Sequence, residues 1–322
     1  MQVFSNHRFA IDLPAGHRAA MPKYELLRLR VEAECPALDV TEACAATEGE
    51  LALAHSPDYI HAVLSGSLSA AAQREIGFAW SERLVARSLR SVGATIAAAR
   101  AALAEGVSVH LAGGTHHACA DRGSGFCVFN DVAVAGRLMQ AEWHCSRGRG
   151  LAQTVAGLRV WVIDLDVHQG NGTAAIFQGD PTVFTLSIHG ERNFPFRKEA
   201  SDLDVGLPDG CVDEPYLAAL DAALALAWGR QLARGGPPGL AFYLAGADPH
   251  EGDRLGRLKL SGAGMAERDL RVLDFLRRHR VPVALTMAGG YGLDIHTTVA
   301  LQLRTVQLAE QAHSAWQHRQ PG

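Results

Sequence analysis

The stretch "VWVIDLDVHQGNGT", residues 160–173, indicates the fold class of this chain and contains its most unusual side chains. It opens with four apolar and mostly β-branched residues, which is typical of a strand covered on both faces. Asp164, Asp166 and His168 then follow at two-residue intervals, before a glycine-rich turn. Because side chains alternate along a strand, this spacing predicts that all three point to one side. Two carboxylates and an imidazole placed together there predict a bound cation, which offsets the cost of burying them.

Four other apolar runs have the same continuous hydrophobicity and are predicted to be buried parallel strands. Helical patterns separate them, and this alternation predicts an α/β fold. We expect a single domain over residues 1–322, with a central, mainly parallel sheet flanked by helices. The polar segment 144–157 is predicted to be a surface loop without an assigned role. The predicted strands are 107–112, 159–165, 182–188, 239–245 and 281–287, and the predicted helices are 83–104, 131–143, 213–234, 264–279 and 294–318.

The composition excludes several classes of protein. A formal net charge of −4 gives no electrostatic footprint for nucleic acid, so no nucleic-acid partner is expected. No apolar run reaches the length of about 18 residues that a membrane span needs. The six cysteines show no C-x-x-C pair, and no secretion signal is recognisable. We therefore expect free thiols and a cytoplasmic location.

Glycine-rich segments with titratable side chains follow the predicted strands. In open α/β sheets, ligands bind at the carboxyl ends of the strands, so these segments are expected to meet at one edge. The connection 189–210 is too long for a simple connector, and loops of such length are usually functional or disordered. The segments begin "GGTHH" at 113, "DVHQGNG" at 166, "HGERNF" at 189, "GADPHEGD" at 246 and "AGGYG" at 288.

The third ligand of the predicted cation comes from another strand end. Asp166, His168 and Asp253 would leave a zinc ion one open position, as a catalytic site requires. Asp164 would crowd a four-coordinate ion, so it is placed behind the ligands or at a second cation. Asp248 has two equally good explanations: it forms a turn before Pro249, or it is a metal ligand. The alternative for Asp166 and His168 is a capped turn beside a core histidine.

Three further side chains suit the hydrolysis of an amide. His116 and His117 are the candidate base and acid, one taking the proton of the attacking water and one protonating the leaving amine. Tyr291, between glycines, is the candidate donor that polarises the carbonyl and stabilises the oxyanion. A surface tyrosine in a turn is the alternative interpretation of Tyr291.

In their order and their sequences, these motifs resemble those of the zinc-dependent histone deacetylase family over residues 7–305. Two of them, "IDLDVHQGNG" and "EGDRLGRLKLS", look most like the class IV branch and its bacterial relatives. The resemblance implies the arginase–deacetylase fold and lysine deacetylase or deacylase activity. It rests on "PAGHRAAMPKYELLR", "HSPDYI", "GGTHHA", "GFCVFND", "IDLDVHQGNGT", "LSIHG", "GADPHEGDRLGRLKLS" and "AGGYG".

The resemblance also implies a set of site residues. It assigns the zinc to the three ligands named above and adds a structural potassium ion, while the sequence leaves open whether Fe²⁺ replaces zinc in the cell. The potassium ligands would be Asp164, Asp166, His168, Ser187 and the backbone of Ile188. The acyl-lysine channel would be formed by Gly125, Phe126, Phe194, Gly289 and Gly290, with Arg18 behind the site where acetate leaves or, equally, on the surface.

One position departs from the class I pattern of the family. Asn171 stands where those members place an aspartate behind the second histidine. An amide orients the ring of His117 but brings no negative charge, so this imidazole is expected to be less basic.

The sequence therefore predicts a zinc-dependent hydrolase acting on non-peptide C–N bonds. Its expected partners are acylated lysine side chains of proteins, with small acylated amines such as acetylpolyamines as the alternative. A ureohydrolase with two manganese ions is poorly supported, because Gly170 replaces the further carboxylate that this chemistry needs. The third hypothesis is a non-catalytic protein that binds acyl-lysine. Acyl-chain length and oligomeric state stay open.

Overall fold

In the part of the chain that the structure describes, eight parallel strands form one sheet at the centre of the molecule. The computed structural model describes residues 1–9, 11, 13, 17, 19, 21–147 and 157–318. The strands are β1 Gln2–Ser5, β2 Asp39–Glu42, β3 Val107–His110, β4 Val160–Asp164, β5 Val183–Gly190, β6 Leu203–Leu207, β7 Leu240–Leu244 and β8 Val283–Thr286. Their order in the sheet is β2-β1-β3-β8-β7-β4-β5-β6. All seven strand pairings are parallel, which confirms the predicted α/β class.

The sheet is covered by helices on both faces, and alternate residues of β4 show how. Trp161 and Ile163 lie in the core on one face, with residues of the helices Pro22–Glu34, Asp213–Ala233, Gly262–Arg278 and Ile295–Gln317. Val160 and Val162 lie in the core on the other face, with residues of the helices Glu82–Glu105 and Asp131–Arg147. The helices are α1 Pro22–Glu34, α2 Glu48–Leu51, α3 Pro57–Ser65, α4 Ala70–Ile76, α5 Glu82–Glu105, α6 Asp131–Arg147, α7 Asn171–Phe177, α8 Asp213–Ala233, α9 Gly262–Arg278 and α10 Ile295–Gln317.

The five strands predicted from the sequence form the contiguous centre of the sheet, β3-β8-β7-β4-β5. Their register aligns the carboxyl ends of the four strands β3, β8, β7 and β4. His110 pairs with Thr286, Thr286 with Leu244, and Leu244 with Asp164. The segments that follow these residues are therefore neighbours, as the sequence predicts.

Segment 144–157 is only partly a loop. Helix α6 continues to Arg147, so the predicted end of the helix at residue 143 was too early. Residues 148–156 of this predicted loop lie outside the described residues, as does Arg18. None of the described helices combines the length and the apolar character needed to cross a membrane.

Candidate active site

Three side chains beyond the ends of β4 and β7 form a group suited to holding a metal ion. Asp166, His168 and Asp248 each place one ligand atom within 4.8 Å of the others, and all three side chains are largely buried. His168 Nδ1 lies 2.9 Å from Asp166 Oδ1 and 3.3 Å from Asp248 Oδ2. Two carboxylates and one imidazole are a ligand set that zinc accepts in catalytic sites.

The third member of this group is Asp248, so the prediction of Asp253 as a ligand was wrong. Asp248 follows the last residue of β7, Leu244, by four positions and stays at the edge of the sheet. Asp253 lies further along, and its two carboxylate oxygens accept hydrogen bonds from three backbone amides. Leu255 N and Gly256 N donate to Oδ1 at 2.7 and 2.9 Å, and Tyr291 N donates to Oδ2 at 2.6 Å. Asp253 therefore orders this loop and fixes the backbone of Tyr291.

Alternation along a strand is not what brings Asp166 and His168 together. Strand β4 ends at Asp164, and both residues lie in the bend that follows it. Backbone amides hold the carboxylates in place there. His168 N donates to Asp166 Oδ1 at 2.9 Å, Gly289 N to Asp166 Oδ2 at 2.7 Å, and Val167 N to Asp248 Oδ1 at 2.9 Å. Such outer contacts orient metal ligands and tune their affinity.

The group contains a buried carboxylate oxygen that has no hydrogen-bond partner among the described residues. Asp248 Oδ2 is buried and accepts no hydrogen bond from the described residues. His168 Nδ1 faces both this atom and Asp166 Oδ1, yet one N–H group donates well to only one of them. Burial, and then the charge of Asp166, raise the pKa of Asp248 to about 7. A divalent cation between the three side chains would supply the missing positive charge, so the residues fit a metal.

The two histidines after β3 lie beside this group, each with its own partner. The ring centroids of His116 and His117 are 4.1 Å apart. His116 Nδ1 is 2.6 Å from Asp164 Oδ2, and His117 Nδ1 is 2.7 Å from Asn171 Oδ1. Because an amide oxygen only accepts, His117 Nδ1 carries the proton and Nε2 keeps its lone pair.

The environments of these rings separate their pKa values. Burial lowers the pKa of His116, but the carboxylates of Asp164 and Asp166 outweigh burial and raise it to about 9. Burial, and then the positive charges of His116 and His168, hold the pKa of His117 well below its usual value. At neutral pH His116 is therefore the protonated ring and His117 the neutral one.

Tyr291 is held in place by hydrogen bonds of its backbone N–H and carbonyl groups. Tyr291 N donates to Asp253, and Arg254 Nε donates to the Tyr291 carbonyl at 2.9 Å. The ring lies 5.7 Å from that of Phe126, and Lys23 Nζ lies 4.6 Å from its centroid. Burial raises the pKa of Tyr291 well above its usual value, so the hydroxyl keeps its proton and donates.

These groups surround one cavity of about 620 Å³. Of the predicted channel residues, Gly125, Phe126, Phe194 and Gly289 line it. Gly290 does not; its carbonyl accepts a hydrogen bond from Lys23 Nζ at 2.9 Å. The prediction of Gly290 as a channel residue is therefore corrected to a contact behind the site. The chemically important lining residues are His116, His117, Asp166, His168, Asp248 and Tyr291.

Three of the predicted potassium ligands, Asp164, Ser187 and Ile188, lie on neighbouring strands of the sheet. Asp164 pairs with Ser187 across β4 and β5, and Ile188 is the next residue of β5. Asp164 Oδ2 already contacts His116, while Oδ1 accepts from Asp166 N at 3.2 Å. The Ser187 hydroxyl contacts His189 Nδ1 at 3.0 Å.

Two buried, positively charged side chains behind Tyr291 were not predicted from the sequence. Lys23 is 1% exposed, although lysine is rarely buried. Arg87 lines a second cavity of about 60 Å³ next to Tyr291, and its Nη1 makes no hydrogen bond to the described residues. Helical spacing offers a signal for Lys23, because Lys23, Leu27 and Val31 are spaced four apart and form the buried stripe of α1.

A methyl group added at Gly289 tests how tightly the metal-ligand group is packed. A Cβ there would lie 2.1 Å from Asp248 Oδ2 and 2.6 Å from Asp166 Oδ2. We expect Gly289→Ala to displace both carboxylates and weaken zinc binding about 10- to 100-fold, as measured by competition with a chelating dye. Gly229→Ala on α8 is the matched control, because a Cβ there meets nothing within 4 Å. Equal zinc affinity in both variants would contradict the close packing.

Comparison with known proteins agrees with this geometry. Residues 17–306 match the family model of the histone deacetylase domain, so the chain belongs to the histone deacetylase domain family. An uncharacterized protein of Picosynechococcus sp. is 44% identical over 90% of this chain and 92% of its own length. "Histone deacetylase 2" of Arabidopsis thaliana is 32% identical over 78% of this chain, which spans 63% of that protein.

A solved structure extends the comparison to the fold. The crystal structure of an HDAC homolog from Aquifex aeolicus superposes with a TM-score of 0.78, covering 96% of this chain and 84% of that one. The sequence identity is 24%, and the match confirms the predicted arginase–deacetylase fold.

Proposed function

We propose that the chain is a zinc-dependent hydrolase that removes an acyl group, most simply acetyl, from the side-chain nitrogen of lysine. The observation that carries the proposal is the convergence of three kinds of group on one cavity. A metal-ligand set, a neutral imidazole beside a protonated one, and a protonated tyrosine hydroxyl all line it. Metal-dependent amide hydrolysis uses each of these groups. The names of the Arabidopsis relative and the Aquifex homologue support the same chemistry.

The chain's own residues then divide the proton transfers. A divalent ion held by Asp166, His168 and Asp248 would supply Lewis-acid activation of the water and the carbonyl. His117 takes the proton of the attacking water at Nε2, which its low pKa keeps vacant. His116 delivers a proton to the leaving amine. The sequence predicted the opposite division, with His116 as the base and His117 as the acid. The Tyr291 hydroxyl donates to the carbonyl oxygen as negative charge develops on it.

Several finer assignments belong to the same proposal. Zinc is preferred, with Fe²⁺ as an alternative for the same ligands, and K⁺ is assigned to Asp164, Asp166, His168, Ser187 and the backbone of Ile188. The small cavity behind Tyr291 would take the product carboxylate, with Arg87 in the role the resemblance offered to Arg18. Six free cysteines support a cytoplasmic setting, and residues 1–322 form a single catalytic domain in this proposal.

Removal of the metal tests the proposal. We expect turnover of an acetyl-lysine peptide to fall at least about 100-fold when a chelator strips the metal, because water activation and carbonyl polarisation are both lost. One equivalent of Zn²⁺ should restore it. Full turnover by protein shown by mass spectrometry to contain no metal would reject a metal-dependent mechanism.

The pH profile tests the assignment of His117 as the base. A base must be deprotonated, so activity falls as the pH drops through its pKa, which lies low in this chain. Asn171→Asp adds a negative charge next to His117 Nδ1 and should raise that pKa. We expect the acid limb of kcat/KM to move up by about one pH unit. A limb that stays in place would show that His117 is not the group that titrates.

A further inference from the structure

The mouth of the active-site cavity carries an excess of positive charge, unlike the chain as a whole. Four arginines line it, and all four are exposed: Arg74, Arg192, Arg254 and Arg257. Among the described residues, the acidic lining residues are Glu75 at the mouth and the two carboxylates of the metal-ligand group. The whole chain has a net charge of −4, so this local excess is not a reflection of composition.

Two of these arginines are held near each other by one carboxylate. Arg257 Nη1 lies 3.1 Å and Arg192 Nη1 lies 4.0 Å from the same oxygen, Asp209 Oδ2. Their side chains remain 52% and 70% exposed, so both guanidinium groups keep donors for a ligand. Arg192 Nε also lies 3.9 Å from Glu191 Oε1, so both carboxylate contacts of Arg192 are long, exposed and weak. The pair of arginines suits a further carboxylate, which arginine binds through two parallel hydrogen bonds.

The same rim offers apolar contact area. Phe194 and Phe196 are 37% and 85% exposed, and both line the cavity together with the arginines. Arginine and exposed aromatic side chains next to each other are typical of surfaces that bind protein segments. A free polyamine tail would place its ammonium groups among these arginines and be repelled.

We infer that the arginine rim, formed by Arg74, Arg192, Arg254 and Arg257, selects acyl-lysines in protein segments with acidic neighbours and disfavours acetylpolyamines. The inference rests on the proposed function and specifies its substrate class. When the acyl-lysine enters the cavity, the flanking residues of the peptide lie across the mouth, where their carboxylates reach the rim.

The test compares three acetyl-lysine peptides of equal length with aspartate, glycine or lysine at the two positions on each side, and N-acetylspermidine. Two exposed ion pairs predict that kcat/KM is about 3- to 10-fold higher for the acidic than for the neutral peptide, with the lysine peptide lower still. Raising the salt to about 0.5 M should shrink the difference, because such pairs are screened. Fluorescence anisotropy of the labelled peptides gives the same order of binding without relying on turnover.

The double variant Arg192→Gln and Arg257→Gln should reduce the acidic preference to about 2-fold or less. Arg278→Glu is the matched control: its side chain is 71% exposed and paired with Asp274, but it ends α9 at the opposite edge of the sheet. Equal turnover and binding of all three peptides, or a preference for N-acetylspermidine, would overturn the inference and leave the hydrolase in place. Tighter binding of the acidic peptide without turnover of any would support the rim and reject the proposed function.

Discussion

Asp248→Asn is expected to abolish metal binding and to lower kcat/KM for an acetyl-lysine peptide by about 1,000-fold or more. Asp248 Oδ2 faces His168 Nδ1 at 3.3 Å and accepts no hydrogen bond from the described residues, so this oxygen is available to the proposed cation. An amide supplies no charge to a divalent ion and competes poorly for it. The zinc content of the purified variant, measured by mass spectrometry, should fall far below one per chain.

Asp253→Asn is the matched comparison, because this residue was the ligand predicted from the sequence. Its carboxylate accepts from Leu255 N, Gly256 N and Tyr291 N, and an asparagine keeps one accepting oxygen. We expect full zinc content and an activity loss of about 10-fold, through a less well-ordered Tyr291. A variant at Asp253 that loses its zinc, while Asp248→Asn keeps it, would contradict the ligand assignment.

Tyr291→Phe is expected to lower kcat by about 100- to 1,000-fold, the usual effect of removing one oxyanion donor. The substitution deletes only the hydroxyl. The ring contact with Phe126 and the backbone bonds to Asp253 and Arg254 do not involve it, so the fold and zinc content should be unchanged. Burial keeps the hydroxyl protonated across the neutral range, so the loss should be independent of pH there.

The readout for Tyr291→Phe should separate binding from chemistry. An oxyanion donor acts mainly in the transition state, so KM should change little while kcat falls. A loss confined to KM would indicate that the tyrosine only binds the ground-state substrate. Wild-type activity in the variant would remove Tyr291 from the mechanism.

The centre of the sheet could be predicted from the sequence, whereas its edges could not. Strands β3, β4, β5, β7 and β8 are buried on both faces and appear as continuous apolar runs. Strand β2, "DVTE", has no buried residue, and β6, "LDVGL", buries only its last one. Edge strands of this kind are short and partly polar, so hydropathy alone does not separate them from loops.

The residue types of the site were predictable, but the choice between neighbouring aspartates was not. Asp248 precedes Pro249 and fits an ordinary turn, while Asp253 lies in a motif rich in charged residues. What separates them is the distance from the end of β7 and the direction of the chain after it. The backbone conformation of two residues could not be predicted from the sequence either. Phe126 and Ala288 line the cavity with φ of 68° and 47°, a region that non-glycine residues rarely adopt.

Anomalous diffraction at the zinc edge, from crystals of the zinc-loaded protein, tests the central claim most directly. The account predicts one strong peak within about 2.0–2.2 Å of an Asp166 oxygen, His168 Nδ1 and an Asp248 oxygen. A zinc peak bound by Asp253, or no peak among these three side chains when zinc is present in excess, would contradict it.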